Sequence, residues 1–254
     1  MKIDIITFFP QIIEEYCKIG IVGRAIKSGI ASINPVNIRD FSSDKYGHVD
    51  DTPYGGGPGM VLRCESAFAA VRYCINSHKH SGLSKKIKFI YTSPAGKTFN
   101  QEYAEDLSFE EHVIILCGRY EGVDQRIIDF FQFEEVSIGD FVLTGGEIPA
   151  LAMCDAAIRL IPDVLGDDES SVDESFSCGL LEHPQFTKPK TFEDLSVPEV
   201  LLSGNHEEIR KWRREQMIER TFKRRPDLLE NAPITENDKL ILSKINPKNS
   251  KEDM

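Results

Sequence analysis

The sequence predicts an α/β protein with a mostly parallel sheet, followed by a smaller helical domain. Residues 1–162 alternate apolar, β-prone runs with stretches of helical spacing, a pattern that favours a parallel sheet with helices on both faces. From residue 163 the chain becomes acidic and serine-bearing, which indicates a flexible linker over 163–176. Beyond its proline-rich start the remainder has helical periodicity, so we expect an all-helical domain over 177–254.

The elements follow from local patterns. β-Branched and aromatic runs predict strands, and apolar residues every three or four positions predict helices. The predicted strands are Lys2–Thr7, Ile30–Arg39, Ile87–Thr92 and Val113–Cys117. The predicted helices are Gln11–Ser28 with an interruption near Gly20, Glu65–Ser77, Glu147–Leu160, Asn205–Phe222 and Glu236–Ile245, with a frayed end from Asn246. The helix at 147–160 has the clearest signal, because its apolar residues follow one side of a helix and Pro162 then ends it.

Composition limits the class of protein. No apolar run among the 254 residues reaches the roughly 18 residues that span a bilayer. The segment Met1–Pro10 is too short for a signal peptide and contains Asp4, so it indicates a first strand. The six cysteines have no paired or metal-ligand spacing, which favours free thiols in a reducing cytoplasm.

The net charge of −11 argues against a general nucleic-acid binder, but the charge is unevenly distributed. Residues 1–176 hold 16 Lys/Arg against 27 Asp/Glu, whereas residues 177–254 hold 14 of each. Within the balanced part, Arg210, Arg213 and Arg214 belong to a basic segment around Trp212. Two interpretations remain: a phosphate-binding face for RNA, or a solvated helix whose charges are balanced by glutamates.

Several glycine-bearing segments are candidates for ligand loops. Cys117–Asp124 and Ser137–Glu147 each follow an apolar, β-prone run, and such loops expose backbone N–H and C=O groups to nucleotide-like ligands. Gly96–Thr98 mimics the end of a phosphate loop, but Tyr91 stands where that motif requires glycine. Gly55–Gly59 is interrupted by a proline, so it is either a surface turn or a flexible contact to RNA.

The two loops belong to a longer series of motifs that resembles the bacterial tRNA (guanine-N1) methyltransferases. The other motifs are Asp51–Val61, Tyr91–Pro94, Gly179–Pro189 and Leu202–Arg213. The resemblance implies methylation of the guanosine directly 3′ of the anticodon (position 37), with S-adenosylmethionine as cofactor and tRNA as substrate. It also implies the trefoil-knot (SPOUT) superfamily and a homodimer, with no membrane and no other protein partner. Magnesium is implied too, although no cluster in the sequence identifies its ligands.

The resemblance further implies where S-adenosylmethionine binds. Three loops would read its adenine through backbone groups, Leu143 would pack on the adenine ring, and Glu121 would meet the ribose or the positive tail. The helical face Ala150–Ile158 and the knot loops would supply the dimer contact. The expected cofactor-binding residues are Tyr91, Thr92, Ser93, Pro94, Gly118, Tyr120, Glu121, Ser137, Ile138, Gly139, Asp140, Phe141, Val142, Leu143, Gly145 and Gly146.

Methylation at guanine N1 requires a base for the N1 proton and a cation for the negative charge on O6. By resemblance, Arg159 is the cation. The family base is an aspartate directly before Ser-Phe, but here Glu174 precedes that pair and Asp173 lies one residue earlier. Either carboxylate is a candidate base. The alternative to an enzyme is a catalytically inactive RNA-binding protein of the same fold.

Overall fold

A computed structural model describes residues 1–79, 86–165 and 174–245. The chain forms two compact units, Met1–Gly166 and Asp167–Met254, with a boundary inside the predicted linker. Within the described ranges, none of the helices combines the length and the apolar character that crossing a bilayer requires.

Unit 1 contains a five-stranded sheet in which every pairing is parallel, in the order β2-β1-β6-β5-β7. Its strands are β1 (Lys2–Thr7), β2 (Ser32–Asn37), β5 (Lys88–Thr98), β6 (His112–Cys117) and β7 (Glu134–Ser137). A short antiparallel ladder joins β3 (Asp50–Asp51) to β4 (Val61–Leu62). The predicted mostly parallel α/β class is confirmed, while the trefoil knot stays a prediction.

Helices cover both faces of this sheet. On one face lie α1 (Pro10–Tyr16), α2 (Gly20–Lys27), α4 (Gln101–Ser108) and α6 (Glu147–Ile158), and on the other α3 (Cys64–Lys79) and α5 (Gln125–Phe131). The central strand β6 is buried throughout: Val113 and Ile115 enter one core, and Ile114 and Leu116 the other. The predicted break near Gly20 is confirmed, since two helices meet there. The sequence analysis missed α4 and α5.

The described residues of unit 2, 174–245, contain helices and one small hairpin. The helices are α7 (Glu199–Leu202), α8 (His206–Arg224) and α9 (Glu236–Ile245), and the core that α8 and α9 share contains Leu180, Met217, Ile218 and Ile241. The hairpin pairs β8 (Thr191–Phe192) with β9 (Leu195–Ser196), which the expectation of an all-helical domain left out. A two-residue turn at Glu193 and Asp194, both at positive φ, closes it, and so few residues carry no readable strand periodicity.

Both ends of the predicted linker, residues 163–165 and 174–176, lie within the described part of the chain. Val164 is buried and packs on the core of unit 1. At the other end, the backbone N–H and the hydroxyl of Ser177 both donate to the carbonyl of Glu174, which closes a turn at the start of unit 2. Asp173 lies outside the described residues. The backbone of Glu174 is therefore held in a turn.

A buried polar pair stabilises the centre of the sheet. Asp4 on β1 and His112 on β6 are both fully buried, with 2.7 Å between Asp4 Oδ2 and His112 Nε2. Asn34 of β2 donates to the other oxygen of Asp4 at 2.9 Å. Burial alone would raise the pKa of the Asp4 carboxyl, but the hydrogen bonds from His112 and Asn34 outweigh it and lower that pKa. The ionised carboxylate thus ties three adjacent strands together.

We predict that Asp4→Asn lowers the free energy of unfolding of unit 1 by about 3 kcal/mol at neutral pH, because it removes a buried carboxylate that is hydrogen-bonded to His112 and Asn34. A lowered folded-state pKa stabilises the fold above the unfolded value near 3.8, and this stabilisation is lost as pH falls through the folded-state pKa. The deficit of the variant should therefore shrink below about pH 4. Amide hydrogen exchange in β1 and β6 measures it, with Asp40→Asn at an exposed position as the control. Equal protection in both variants would contradict the assignment.

Candidate active site

A cavity of about 340 Å³ lies at the carboxyl ends of β5, β6 and β7. These strands are adjacent and parallel, so the loops that follow them leave the sheet at one edge, where ligands of open α/β sheets bind. Its size falls in the range typical of small-molecule sites. The residues that line it are Tyr91, Thr92, Ser93, Pro94, Ala95, Gly118, Arg119, Tyr120, Glu121, Gly122, Val136, Ser137, Ile138, Gly139, Phe141, Val142, Leu143, Thr144, Gly145, Gly146 and Pro149.

The structure brings the predicted cofactor residues together in this one place. Of the sixteen residues, all line the cavity except Asp140, which is exposed to solvent. Arg119, Gly122 and Thr144 also line the cavity but were not predicted, although they lie inside the same loops. Their position next to predicted residues could have identified them, because a loop that reaches a cavity usually lines it with most of its length.

The first wall is a bulge in β5. Val136 of β7 pairs with both Thr92 and Lys97, so residues 93–96 are looped out of the sheet. At the base of this bulge a Cβ on Gly96 would overlap the backbone of β7, so a residue with a side chain does not fit there. The Ser93 hydroxyl accepts a hydrogen bond from the Ala95 N–H at 3.2 Å and shapes the turn.

The other two loops meet each other at the centre of the site. The Gly146 N–H donates to the Gly118 carbonyl at 2.8 Å, and Arg119 and Gly145 form an isolated antiparallel bridge. The Gly118 N–H in turn donates to the Thr92 hydroxyl at 3.1 Å. A Cβ on Gly146 would overlap that hydroxyl, so the three loops approach this closely because glycine stands there.

The outer rim of the cavity is apolar and unusually exposed. Phe141, Val142 and Leu143 are 52%, 85% and 38% exposed, although their neighbours Gly145 and Gly146 pack inward. Gly139 has φ +148° and lies against the Phe141 ring, which turns the loop outward after Ser137. Exposed apolar side chains beside a cavity indicate a surface that a ligand or a second chain covers.

A buried carboxylate, that of Glu147, directly follows the loop that lines the cavity. Glu147 is the first residue of α6, is 4% exposed, and accepts a hydrogen bond from the Thr7 hydroxyl at 2.8 Å. The Thr7 hydroxyl also accepts from the Phe9 N–H at 2.9 Å, so the end of β1 is tied to the start of α6. A carboxylate at a helix N-terminus is stabilised by the helix dipole. No pattern in the sequence pointed to Thr7.

Two groups in the site stay protonated at neutral pH. Burial, and secondarily Glu135, raises the pKa of the Tyr91 hydroxyl to about 12. Burial, with Glu147 as a smaller cause, raises the pKa of the Cys117 thiol well above its ordinary value. Because the thiolate is the nucleophilic form, Cys117 is not equipped for covalent catalysis.

The glycine-rich segment at 55–59 adjoins the cavity. The Glu121 N–H donates to the Met60 carbonyl and the Leu62 N–H to the Gly122 carbonyl, both at 3.0 Å. Gly55, Gly56 and Gly57 have positive φ and open space around them, whereas Gly59 touches the Glu121 side chain. The segment is therefore an open loop beside the site, as a contact to a large substrate requires.

The structure does not bring the predicted catalytic residues to this cavity within one unit. Arg159 caps the far end of α6, about 15–18 Å from the cavity by helix rise. Glu174 belongs to unit 2. The prediction that the helical face Ala150–Ile158 forms a dimer contact is wrong. Its apolar residues are buried in the core of their own unit, namely Ala150, Leu151, Cys154, Ala157 and Ile158. Exposed Ile148 is the large apolar residue left on α6.

The three arginines predicted to bind RNA differ in environment. Arg214 donates to both oxygens of buried Asp238, at 3.0 and 2.7 Å, and to the Pro233 carbonyl, so its fork stabilises the α8–α9 packing. Arg210 is exposed and Arg213 half-buried, and neither forms an ion pair with a described residue. Arg214 is thus a structural residue, whereas Arg210 and Arg213 are open to a partner.

Comparisons with known proteins find relatives over nearly the whole chain. The family model described as "tRNA (Guanine-1)-methyltransferase TrmD" matches residues 1–231. A tRNA (guanine-N(1)-)-methyltransferase from Sulfurihydrogenibium sp. is 52% identical over 245 residues, which cover 96% of this chain and 94% of that protein. Proteins of the same name from Moorella thermoacetica and Staphylococcus epidermidis are 47% and 49% identical, and each match covers at least 95% of both chains.

Proposed function

The chain belongs to the tRNA (guanine-1)-methyltransferase family, and we propose that it transfers a methyl group from S-adenosylmethionine to N1 of the guanosine directly 3′ of the anticodon. The observation that carries the proposal is the meeting of all three predicted cofactor loops around one cavity. The alternative, a catalytically inactive RNA-binding protein, gains no support, because the relatives named above are methyltransferases over nearly the full length of this chain.

The residues around the cavity fit S-adenosylmethionine. Gly118 and Gly146 let the cavity loops pack closely, and Leu143 and Phe141 offer apolar faces for the adenine ring. The cofactor is a cation, so the Glu121 carboxylate is a suitable neighbour for its ribose or its positive tail. When bound, it supplies an electrophilic methyl group on a sulfonium.

The chain must supply the proton acceptor and the charge stabiliser. Guanine N1 carries a proton at neutral pH, and its removal places negative charge on O6. We assign Glu174 as the base and Arg159 as the cation near O6. The turn that Ser177 closes on the Glu174 carbonyl holds the Glu174 backbone, which a positioned base requires. A fixed guanidinium acts without reorganisation as the charge develops.

A homodimer would complete this site. Within one chain Arg159 lies at the far end of α6 from the cavity, so a second copy is the simplest source of the catalytic groups. The exposed apolar residues Phe141, Val142 and Ile148 lie beside the cavity and along α6, where a second copy would cover them. We infer that each cofactor cavity faces the Arg159 and Glu174 of the partner subunit.

Magnesium is implied by the family resemblance. No group of three or more His, Cys, Asp and Glu side chains suited to a metal occurs in the described parts of the chain. All six cysteines are free thiols. Reduced cysteines support a cytoplasmic location, where tRNA is also found.

The enzymatic activity has a direct test. Purified protein and radiolabelled S-adenosylmethionine are incubated with two unmodified tRNA transcripts that differ in a single base, guanosine or adenosine directly 3′ of the anticodon. Label should enter the guanosine transcript and be recovered as 1-methylguanosine. Equal labelling of both transcripts, or of neither, would refute the proposed reaction.

The base is identified by two amide substitutions. Glu174→Gln keeps shape and hydrogen bonding but removes the proton acceptor, so single-turnover methyl transfer should slow by about 10²–10⁴ with near-normal binding of both substrates. Asp173→Asn should lose far less. Raising the pH should partly rescue Glu174→Gln, because guanine N1 then deprotonates without help. The reverse ranking would assign the role to Asp173, and near-normal rates for both would place the base elsewhere.

Subunit complementation tests the shared site. Gly118→Val fills space against the Thr92 carbonyl and should abolish cofactor binding, and Glu174→Gln should abolish catalysis. Each variant alone should be inactive. Co-expressed together they should recover about a quarter of wild-type activity, because half of randomly paired dimers are mixed and each holds one intact site. Ala152→Val, at an exposed position of α6, is the packing control. No recovery in the mixed dimer would place each whole site within one chain.

A further inference from the structure

A row of alternating cationic and aromatic side chains runs away from the cavity. The Arg39 guanidinium lies over the Phe8 ring at 5.6 Å, and the Phe8 ring meets Tyr120 edge-on at 5.6 Å. The Arg119 guanidinium lies 5.9 Å from the Tyr120 ring and 4.5 Å from the Phe9 ring. Arg119 and Tyr120 line the cavity, so the row begins there and ends at exposed Arg39.

The sheet order explains this row. Arg39 follows β2, Phe8 and Phe9 follow β1, and Arg119 and Tyr120 follow β6. These three strands are adjacent and parallel, so all five side chains leave the sheet at the same carboxyl edge as the cavity loops. Two strand spacings separate β2 from β6, about 10 Å. The row thus extends the site by about 10 Å along the carboxyl edge of the sheet.

The two guanidiniums of this row form no ion pair with a described carboxylate, although Glu147 lies near Arg119 on the other side of Gly145. Other arginines of this region are paired: Arg126 with Asp124 at 2.7 Å, and Arg63 with Asp51 at 3.9 Å. Among the residues that the structure describes, Arg39 and Arg119 have ring contacts but no carboxylate within ion-pair distance. A guanidinium stacked on a ring keeps its in-plane N–H donors available for another ligand.

The rings that carry these arginines are rigidly held. Phe8 is 5% exposed and belongs to the core between α3 and the sheet, and Phe9 packs against the same core. The Phe9 N–H is fixed by the Thr7 hydroxyl, which itself donates to Glu147. The guanidiniums therefore stand on a prearranged platform, and a ligand that binds them does not have to order that platform first.

These features suit a polyanion with planar groups. Residues 1–166, which form unit 1, carry 22 acidic against 16 basic residues, so unit 1 as a whole repels phosphate. Two guanidiniums that form no ion pair with a described carboxylate are a local exception. Guanidinium binds phosphate oxygens through paired hydrogen bonds, and RNA phosphates are spaced closely enough for two to reach this row.

We propose that Arg39 and Arg119 bind backbone phosphates of the RNA strand that carries the target guanosine, so that this row leads the strand into the cavity. The proposal rests on the proposed function, since it names the path of that substrate over unit 1. It adds a second RNA contact, separate from the Arg210 and Arg213 surface of unit 2.

The test uses Arg39→Gln, because Arg39 does not line the cavity. The control is Arg24→Gln, an exposed arginine of α2 on the other face of the sheet. Binding of an unmodified tRNA transcript to the full-length protein is measured across a series of salt concentrations. Arg39→Gln should weaken binding about tenfold, as expected for one charge-assisted contact. It should also reduce the slope of log affinity against log salt by about 0.7. Affinity for S-adenosylmethionine should not change.

Arg39→Lys provides a second measurement. It keeps the charge but loses the planar fork, so it should retain the salt slope while losing part of the affinity. Tenfold weaker binding with a reduced slope in Arg39→Gln alone would support the row as an RNA contact. Identical tRNA binding by Arg39→Gln and Arg24→Gln would overturn it, as would an equal loss of cofactor affinity. If the wild-type protein fails to methylate tRNA, the proposed function itself falls, and that result is independent of these comparisons.

Discussion

The close approach of three loops at one edge of the sheet is the constraint on which the site depends. The Gly146 N–H reaches the Gly118 carbonyl at 2.8 Å, and the Thr92 hydroxyl accepts from the Gly118 N–H between them. This contact leaves no space for a Cβ at Gly146. The Ser93–Gly96 bulge and the loop at 137–146 both line the cavity beside this contact.

Parallel strand order turns one edge of the sheet into a continuous functional surface. The cavity occupies the ends of β5, β6 and β7, and the arginine–aromatic row occupies the ends of β2, β1 and β6. The loop after β6 belongs to both, so Arg119 and Tyr120 link the cavity to the row. Beneath this edge, Thr7 and Glu147 join β1 to α6, and Asp4 with His112 joins β1 to β6.

The role of each arginine follows from its neighbours, since the side chain is the same throughout. Arg214 is bound on both donors by Asp238 and supports the packing of unit 2. Arg126 is bound by Asp124 at the start of α5. Arg39 and Arg119 lie on rings instead, which orient them without cancelling their charge. The same difference in pairing separates Arg213 from its neighbour Arg214.

The sequence by itself determined the parallel α/β class and the break near Gly20, because strand and helix periodicity are local signals. Its long ordered motifs indicated the family, and the resemblance then implied fifteen of the residues that line the cavity. Tertiary structure decided which residues meet: Thr7 beneath Glu147, Arg39 over Phe8, and Arg214 with Asp238. These partners lie far apart along the chain, and no local pattern records a contact that strand order and helix packing create.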